Sequence, residues 1–228
     1  MSDDLFVKVY DHEDPRLGRN VVHDPRSRNF PRRAAVDRST WRDKAVRIYD
    51  PLPNPNQPVG CCTGVDASVK LNAIGNRVKG RVLDMDDALR IYSRATTIDP
   101  WTGSYPPDDT GSSGLAAAKS AVAFGLASEY RWLFGGADEV VQTIMEGEPV
   151  GIGARWEWDM FEQDRDGRIH FGGGEAGGHQ WTARGYDADR DWVLGRCWWG
   201  GFRDFWIARV DLQDLLDDYG DAHVLRSV

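Results

Sequence analysis

The sequence is short of cysteine: three occur in 228 residues, Cys61, Cys62 and Cys197. An odd number with two adjacent makes a poor disulfide framework, which argues against a small stapled scaffold. Positive charge is also in deficit. Lys and Arg number 28 against 36 Asp and Glu, a formal net charge of -8. A nucleic-acid-binding surface needs clustered cations, so that class of function is set aside. The chain has no run of 18 apolar residues and no apolar stretch near Met1. The expectation is no membrane span and no secretion leader, hence a cytoplasmic setting where thiols stay reduced. No internal repeat is visible.

What is there points to a sizeable core. Apolar residues make up 41 % and ten are Trp. Such large aromatics bury much area, but each indole N–H needs a partner, so some should line a cleft. The length suits one domain with an arm, because single cores grow to roughly 250 residues. We divide the chain into an N-terminal arm, residues 1–50, and a main domain, residues 51–228. The arm carries Arg16, Arg19, Arg26, Arg28, Arg32 and Arg33. It reads as a solvated lead-in with a short strand at Leu5–Tyr10. Four prolines between Asp50 and Pro58 exclude a helix and predict a turn or extended approach.

From Cys62 to about Ile74 the periodicity is helical, with Val65, Val69 and Ala73 on one face. Further helices are predicted over Asp86–Arg94, from a Ser113 cap to Phe124, and over Ala137–Met145. Beyond Pro149 the texture is β. Strands are expected at Val150–Trp158, Arg168–Phe171, Gln180–Tyr186, Asp191–Gly195 and Phe205–Val210, followed by a helix at Leu212–Tyr219. Helices in front and strands behind predict an α+β fold: two segregated layers meeting at a cleft.

The chemistry concentrates in two places. In Gln57-Pro-Val-Gly-Cys-Cys-Thr-Gly64 a turn delivers Cys62 to a helix N-terminus. Free N–H groups and the helix dipole there lower a thiol pKa and can bind an oxyanion. The Gln57 side-chain amide offers a second oxyanion donor. Cys61 points elsewhere, since adjacent side chains diverge. The second place is Gly177-Gly-His179, where His179 opens a strand after two glycines that permit close approach. His12, His23, His170 and His223 sit in unpatterned settings and do not compete.

These segments resemble the nucleophile and histidine motifs of papain-like cysteine peptidases, closest to a bacterial and phage branch. His23-Asp-Pro-Arg-Ser-Arg28, Gly147-Glu-Pro-Val-Gly-Ile-Gly153 and Asp164-x-Asp-Gly167 follow in that branch's order. The resemblance covers about residues 20–217. It implies a nucleophile helix packed against an antiparallel sheet half, with the site in the cleft between. It also implies a Cys62 nucleophile, a His179 base, Gln57 in the oxyanion hole, a peptide or protein substrate and no cofactor. Three departures stand out. Gln57 is one residue closer to the cysteine than usual, Cys61 replaces a serine, and the family's orienting Asn falls on Arg196 or Cys197.

Other readings are weaker. Glu162-x-Asp164-x-Asp166-Gly167 mimics a Ca²⁺ loop but has Gly173 where the closing Glu belongs. Cys61 and Cys62 are adjacent, unlike zinc-ligand spacing. Gly151-Ile-Gly153 lacks a third glycine for a dinucleotide fingerprint. No metal is expected. Against the peptidase stand a peptidoglycan-cleaving Cys/His amidase and a catalytically impaired papain-fold binding protein, such as a virion component or part of another assembly. Those amidases usually keep Cys and His closer in sequence. The lost Asn is the best support for the impaired form.

Overall fold

Helix α1 (Cys62–Ala73) is buried along its whole length. A helix buried on every side must be packed between layers, and α1 lies between two helices and a sheet. This computed structural model describes residues 5–10, 14–33, 35–48, 56–73, 82–199 and 202–226. Most of the proline-rich approach, Ile74 and His12 lie outside them. On one side of α1, Ala67 and Leu71 pack against Ile91 and Ala95 of α2 (Met85–Ile98) and Ala117 and Ala121 of α3 (Gly114–Ala123). Asp84 and Asp87 cap α2 reciprocally, each carboxylate accepting from the other's N–H at 3.1 and 3.0 Å. Ser113 caps α3 as expected, its hydroxyl accepting from Ala116 N–H.

The other layer is a seven-stranded antiparallel sheet. Its strands are β3 (Lys44–Ala45), β4 (Glu129–Trp132), β5 (Val150–Glu157), β6 (Glu175–Asp187), β7 (Trp192–Trp199), β8 (Phe202–Ala208) and β9 (Asp221–Arg226). The order is β4-β9-β5-β6-β7-β8, and β3 pairs with β6 where β5 has ended. Helices α4 (Gly136–Met145) and α5 (Arg209–Asp217) complete the main domain. The predicted α+β layout is the one observed. Strands β4 and β9 were not anticipated, being short and rich in charge. Arg168–Phe171, expected as a strand, makes only an isolated bridge from Arg168 to Trp206. The Asp164 carboxylate instead accepts the N–H groups of Asp166 and Arg168, both at 2.9 Å, and closes a local turn.

The N-terminal segment is not solvated throughout. Two short strands, β1 (Phe6–Lys8) and β2 (Val21–His23), pair with each other. Leu17, Arg19 and Asn20 between them, and Val21 at the start of β2, are fully buried. Arg19 reaches the interior because Asp221 meets its guanidinium at 2.6 Å and the Tyr219 carbonyl accepts from it at 2.8 Å. A charge enters a core only with such partners.

Candidate active site

The Cys62 loop is held from below. Gly60 N–H donates to Asp109 at 2.8 Å, and the Tyr92 hydroxyl donates to the other oxygen of the same carboxylate. The Cys61 carbonyl accepts the first helical bonds, from Gly64 and Val65. Cys62 is therefore the first residue of α1, with its thiol accepting from the backbone N–H of Gln180. Cys61 turns the other way, toward Asp109, and burial pushes its thiol up to about 12. Cys62 is also pushed up by burial, with the Gln180 N–H opposing. So the helix terminus alone does not make a thiolate here; desolvation outweighs it.

His179 stands on β6 opposite Ala154 of β5. It is fully buried among aromatics: Trp199 lies 4.7 Å from its ring centroid and Trp156 meets it edge-on at 5.2 Å. Desolvation brings its pKa down to about 3, against the raising effect of the Arg16 carbonyl. Nδ1 is buried without a hydrogen bond, and no hydrogen bond joins His179 to Cys62 among the described residues. Nε2 lies 3.3 Å from the sulfur of Cys197.

Cys197 reaches that ring through ordinary strand pairing, since Gly195 of β7 lies opposite Ala183 of β6. Alternation puts Cys197 on the same face as Gly195, and His179 and Trp181 on the same face as Ala183. Of the two positions the sequence left open for an orienting group, Cys197 is the one in contact. Arg196 instead pairs with Asp204.

A stretch of the arm covers all of this. The Gln57 side-chain amide donates to the Pro15 carbonyl at 2.7 Å. Trp199 Nε1 donates to the next carbonyl, of Arg16, at 3.2 Å. The Gly18 and Arg19 N–H groups both donate to the Gly178 carbonyl at 3.0 Å. Gly18 has φ +148°, and a Cβ there would lie 2.0 Å from the Gly60 carbonyl oxygen, so only glycine lets the arm pass the Cys62 loop. Gly178 is equally constrained, by the Arg19 carbonyl at 2.0 Å from its would-be Cβ. The Arg16 guanidinium stacks on Phe161 at 3.9 Å and pairs with Asp14 at 2.6 Å. Beneath this cover Cys62, His179 and Cys197 are all inaccessible.

On the opposite face of β6 the chemistry differs. Gln180 and Thr182 donate to Asp66 of α1 at 3.2 and 2.6 Å. Asp66 pairs with Lys70 at 2.7 Å, and the Lys70 ammonium sits 2.7 Å from His223 Nε2. These groups are buried, and the sequence reading missed them: it treated His223 as unpatterned and saw only the apolar face of α1.

Helix α1 against an antiparallel sheet, with Cys62 at its start and His179 on the facing strand, defines a papain-like fold. Solved structures agree. Xylellain, a cysteine protease from Xylella fastidiosa, superposes with a TM-score of 0.60 over 96 % of this chain and 98 % of its own, at 16 % identity. Procathepsin B S9 from Trypanosoma congolense gives 0.61 over 93 % and 88 %, at 12 % identity. Bromelain from Ananas comosus gives 0.55 over 81 % and 95 %, at 13 % identity. No family model matches the chain, and no curated protein matches it by sequence. The likeness is one of fold; the bacterial and phage branch rests on the sequence motifs alone.

Proposed function

We propose that the chain is a cysteine peptidase acting on peptide bonds, seen with its cleft closed by its own arm. The observation that carries this reading is the Gln57 amide, which already holds a peptide carbonyl, that of Pro15. The next carbonyl and two N–H groups of the arm are also held through main-chain atoms. A cleft that holds a chain segment by its carbonyls, here the turn that Leu17 N–H closes onto the Asp14 carbonyl, suits a peptide substrate.

In the reaction, with the arm displaced, His179 takes the Cys62 proton and the thiolate attacks the substrate carbonyl. The Gln57 amide and the Cys62 N–H stabilise the oxyanion. The imidazolium then protonates the leaving amine, and water releases the acyl group. Burial keeps both thiol and imidazole neutral in the closed form, so water must enter before the ion pair forms. All three cysteines are free thiols, which a reducing compartment would maintain.

A second reading, a binding protein without activity, draws on the same neutrality and on the lost Asn. Incubation with casein and with an epoxide thiol reagent decides between them. The peptidase reading expects hydrolysis, modification at Cys62 faster than free cysteine at neutral pH, and loss of both in Cys62→Ala. No hydrolysis, with Cys62 no faster than free cysteine even in Arg16→Ala, would overturn it in favour of the binding protein.

A further inference from the structure

We propose that Phe161 and Trp199 form a subsite for a cationic side chain, and that the preferred substrate carries arginine just after the cleaved bond, on the amine side. The inference rests on the peptidase reading above and names a substrate class for it.

The arm shows what the cleft accepts at this point. Its Arg16 guanidinium lies over the Phe161 ring, 3.9 Å from the centroid, and 5.7 Å from that of Trp199. Trp199 Nε1 holds the carbonyl of the same residue, and the Gln57 amide holds the carbonyl before it. Side chain and main chain are thus fixed together. The Pro15 carbonyl stands at an oxyanion donor, so the bond after it corresponds to the bond to be cut. Arg16 then corresponds to the residue that carries the leaving amine. The arm crosses as a turn, closed by Leu17 N–H on the Asp14 carbonyl. It marks the subsite for one side chain rather than the course of a whole substrate.

Phe161 is a braced ring. It ends the short 3-10 helix Trp158–Phe161 and packs against Trp199 at 5.2 Å, Trp158 at 5.8 Å and Trp156 at 6.1 Å. The exposed carboxylates of Asp159 and Glu162 flank it in the chain. A ring face carries partial negative charge and attracts a cation lying over it. A guanidinium is flat, stacks on such a face and is more weakly hydrated than an ammonium, so arginine fits better than lysine. The carboxylate paired with Arg16 is Asp14, which belongs to the arm and leaves with it. A substrate meets the rings and the field of Asp159 and Glu162, in a chain of net charge -8. An apolar side chain gains the area of the ring but not that attraction, and an acidic one is repelled.

The test measures kcat/KM of the full chain on internally quenched peptides that differ only at the residue after the cleaved bond, with the cut mapped by mass spectrometry. That residue is arginine, citrulline, norleucine or glutamate. Citrulline keeps the shape of arginine and removes its charge. The wild type should prefer arginine to citrulline by about fivefold, the size expected for a half-exposed cation on a ring. Phe161→Leu should bring that preference below about twofold, and Phe161→Tyr should keep it. Citrulline or norleucine peptides cut as fast as the arginine peptide by the wild type would overturn the proposal. A fivefold preference that persists in Phe161→Leu would overturn it too. If no peptide is cut and Cys62 is alkylated no faster than free cysteine, the peptidase reading fails on its own. Tryptophan fluorescence titrations of Arg16→Ala with the same peptides then decide the subsite. Arginine bound about fivefold more tightly than citrulline supports it, and equal binding, or none, overturns it.

Discussion

Strand β6 carries two buried polar clusters back to back, and they are built on opposite rules. Gln180 and Thr182 point into a network of fixed charges, where Asp66 meets Lys70 at 2.7 Å and Lys70 meets His223 at 2.7 Å. His179, between them in sequence, points into aromatic rings and one sulfur, with Nδ1 unpaired. One face compensates its charges with partners from neighbouring elements. The other leaves a titratable group uncompensated beneath a segment held by a few backbone bonds and a stacked arginine. The charged face also leaves Gln180 Oε1 and His223 Nδ1 without hydrogen bonds, so the difference is one of charge. There Lys70 and Arg19 each meet a carboxylate, whereas His179 has no ion pair among the described residues, which marks it as a candidate for chemistry. The arm touches both clusters: Arg19 is locked into the charged side, and Pro15 and Arg16 only cover the other.

The largest effect should come from breaking the charged face. Lys70→Met leaves Asp66 buried without its cation, and removing one member of a buried pair costs about 3–5 kcal/mol. His179→Leu, a hydrophobic swap of similar volume, should cost less than about 1.5 kcal/mol. Urea unfolding of the two variants measures both. Equal losses would show that the faces are not the two kinds of site argued above.

Acid should sharpen the contrast next. His179 is brought down to about 3 in the folded chain, from an ordinary value of 6.5, and burial also lowers His223 and His23. Between those values the unfolded chain binds protons that the folded chain refuses. Stability is therefore full above pH 6.5 and falls as pH drops toward 3, on the order of a few kcal/mol for such a group. In His179→Leu that part of the acid loss should vanish while the His223 part persists. The same imbalance favours arm opening, since a solvated imidazole can hold its proton. Alkylation of Cys62, corrected for thiolate fraction, should then be relatively faster at pH 5 than at pH 7.

Much of this was legible in the sequence because local rules agree with the fold. The Gly60-Cys61-Cys62 turn, the Ser113 cap and the glycines before His179 each have one simple physical meaning, and each is found where that meaning puts it. What was not legible depends on distant partners. Arg19 reads as a surface arginine until Asp221, at the other end of the chain, is brought to 2.6 Å. Lys70 and Asp66 break the apolar pattern of α1 and make sense only against β6 and β9. Cys197 could not be chosen over Arg196 without the pairing of Gly195 with Ala183, which sets that side of β7 on the His179 face. The arm's course over Gln57 has no local signal, because main-chain atoms make the contacts.

A smaller effect is expected at the cover. Arg16→Ala removes the stacking on Phe161 and the pair with Asp14. Arg16 is partly exposed, so together these are worth about 1 kcal/mol, and the open population should rise about fivefold. Iodoacetamide labelling of Cys62 would report it as a rate increase of that order. An unchanged rate would place the latch elsewhere, in the Leu17 to Val21 stretch.

The smallest effect belongs to the neighbouring thiol. Cys61 and Cys62 differ by one position, yet one faces Asp109 and the other the backbone of Gln180. Burial and the Asp109 carboxylate both disfavour a Cys61 thiolate, whereas Cys62 accepts from the backbone N–H of Gln180, the residue after His179 on β6. Cys61→Ser keeps a small polar side chain beside Asp109, so peptide hydrolysis and the labelling of Cys62 should stay within about twofold of wild type. Mass spectrometry of the labelled peptide separates the two sites. A Cys61→Ser variant that no longer labelled, beside a Cys62→Ser variant that still did, would move the nucleophile back by one residue and away from the imidazole.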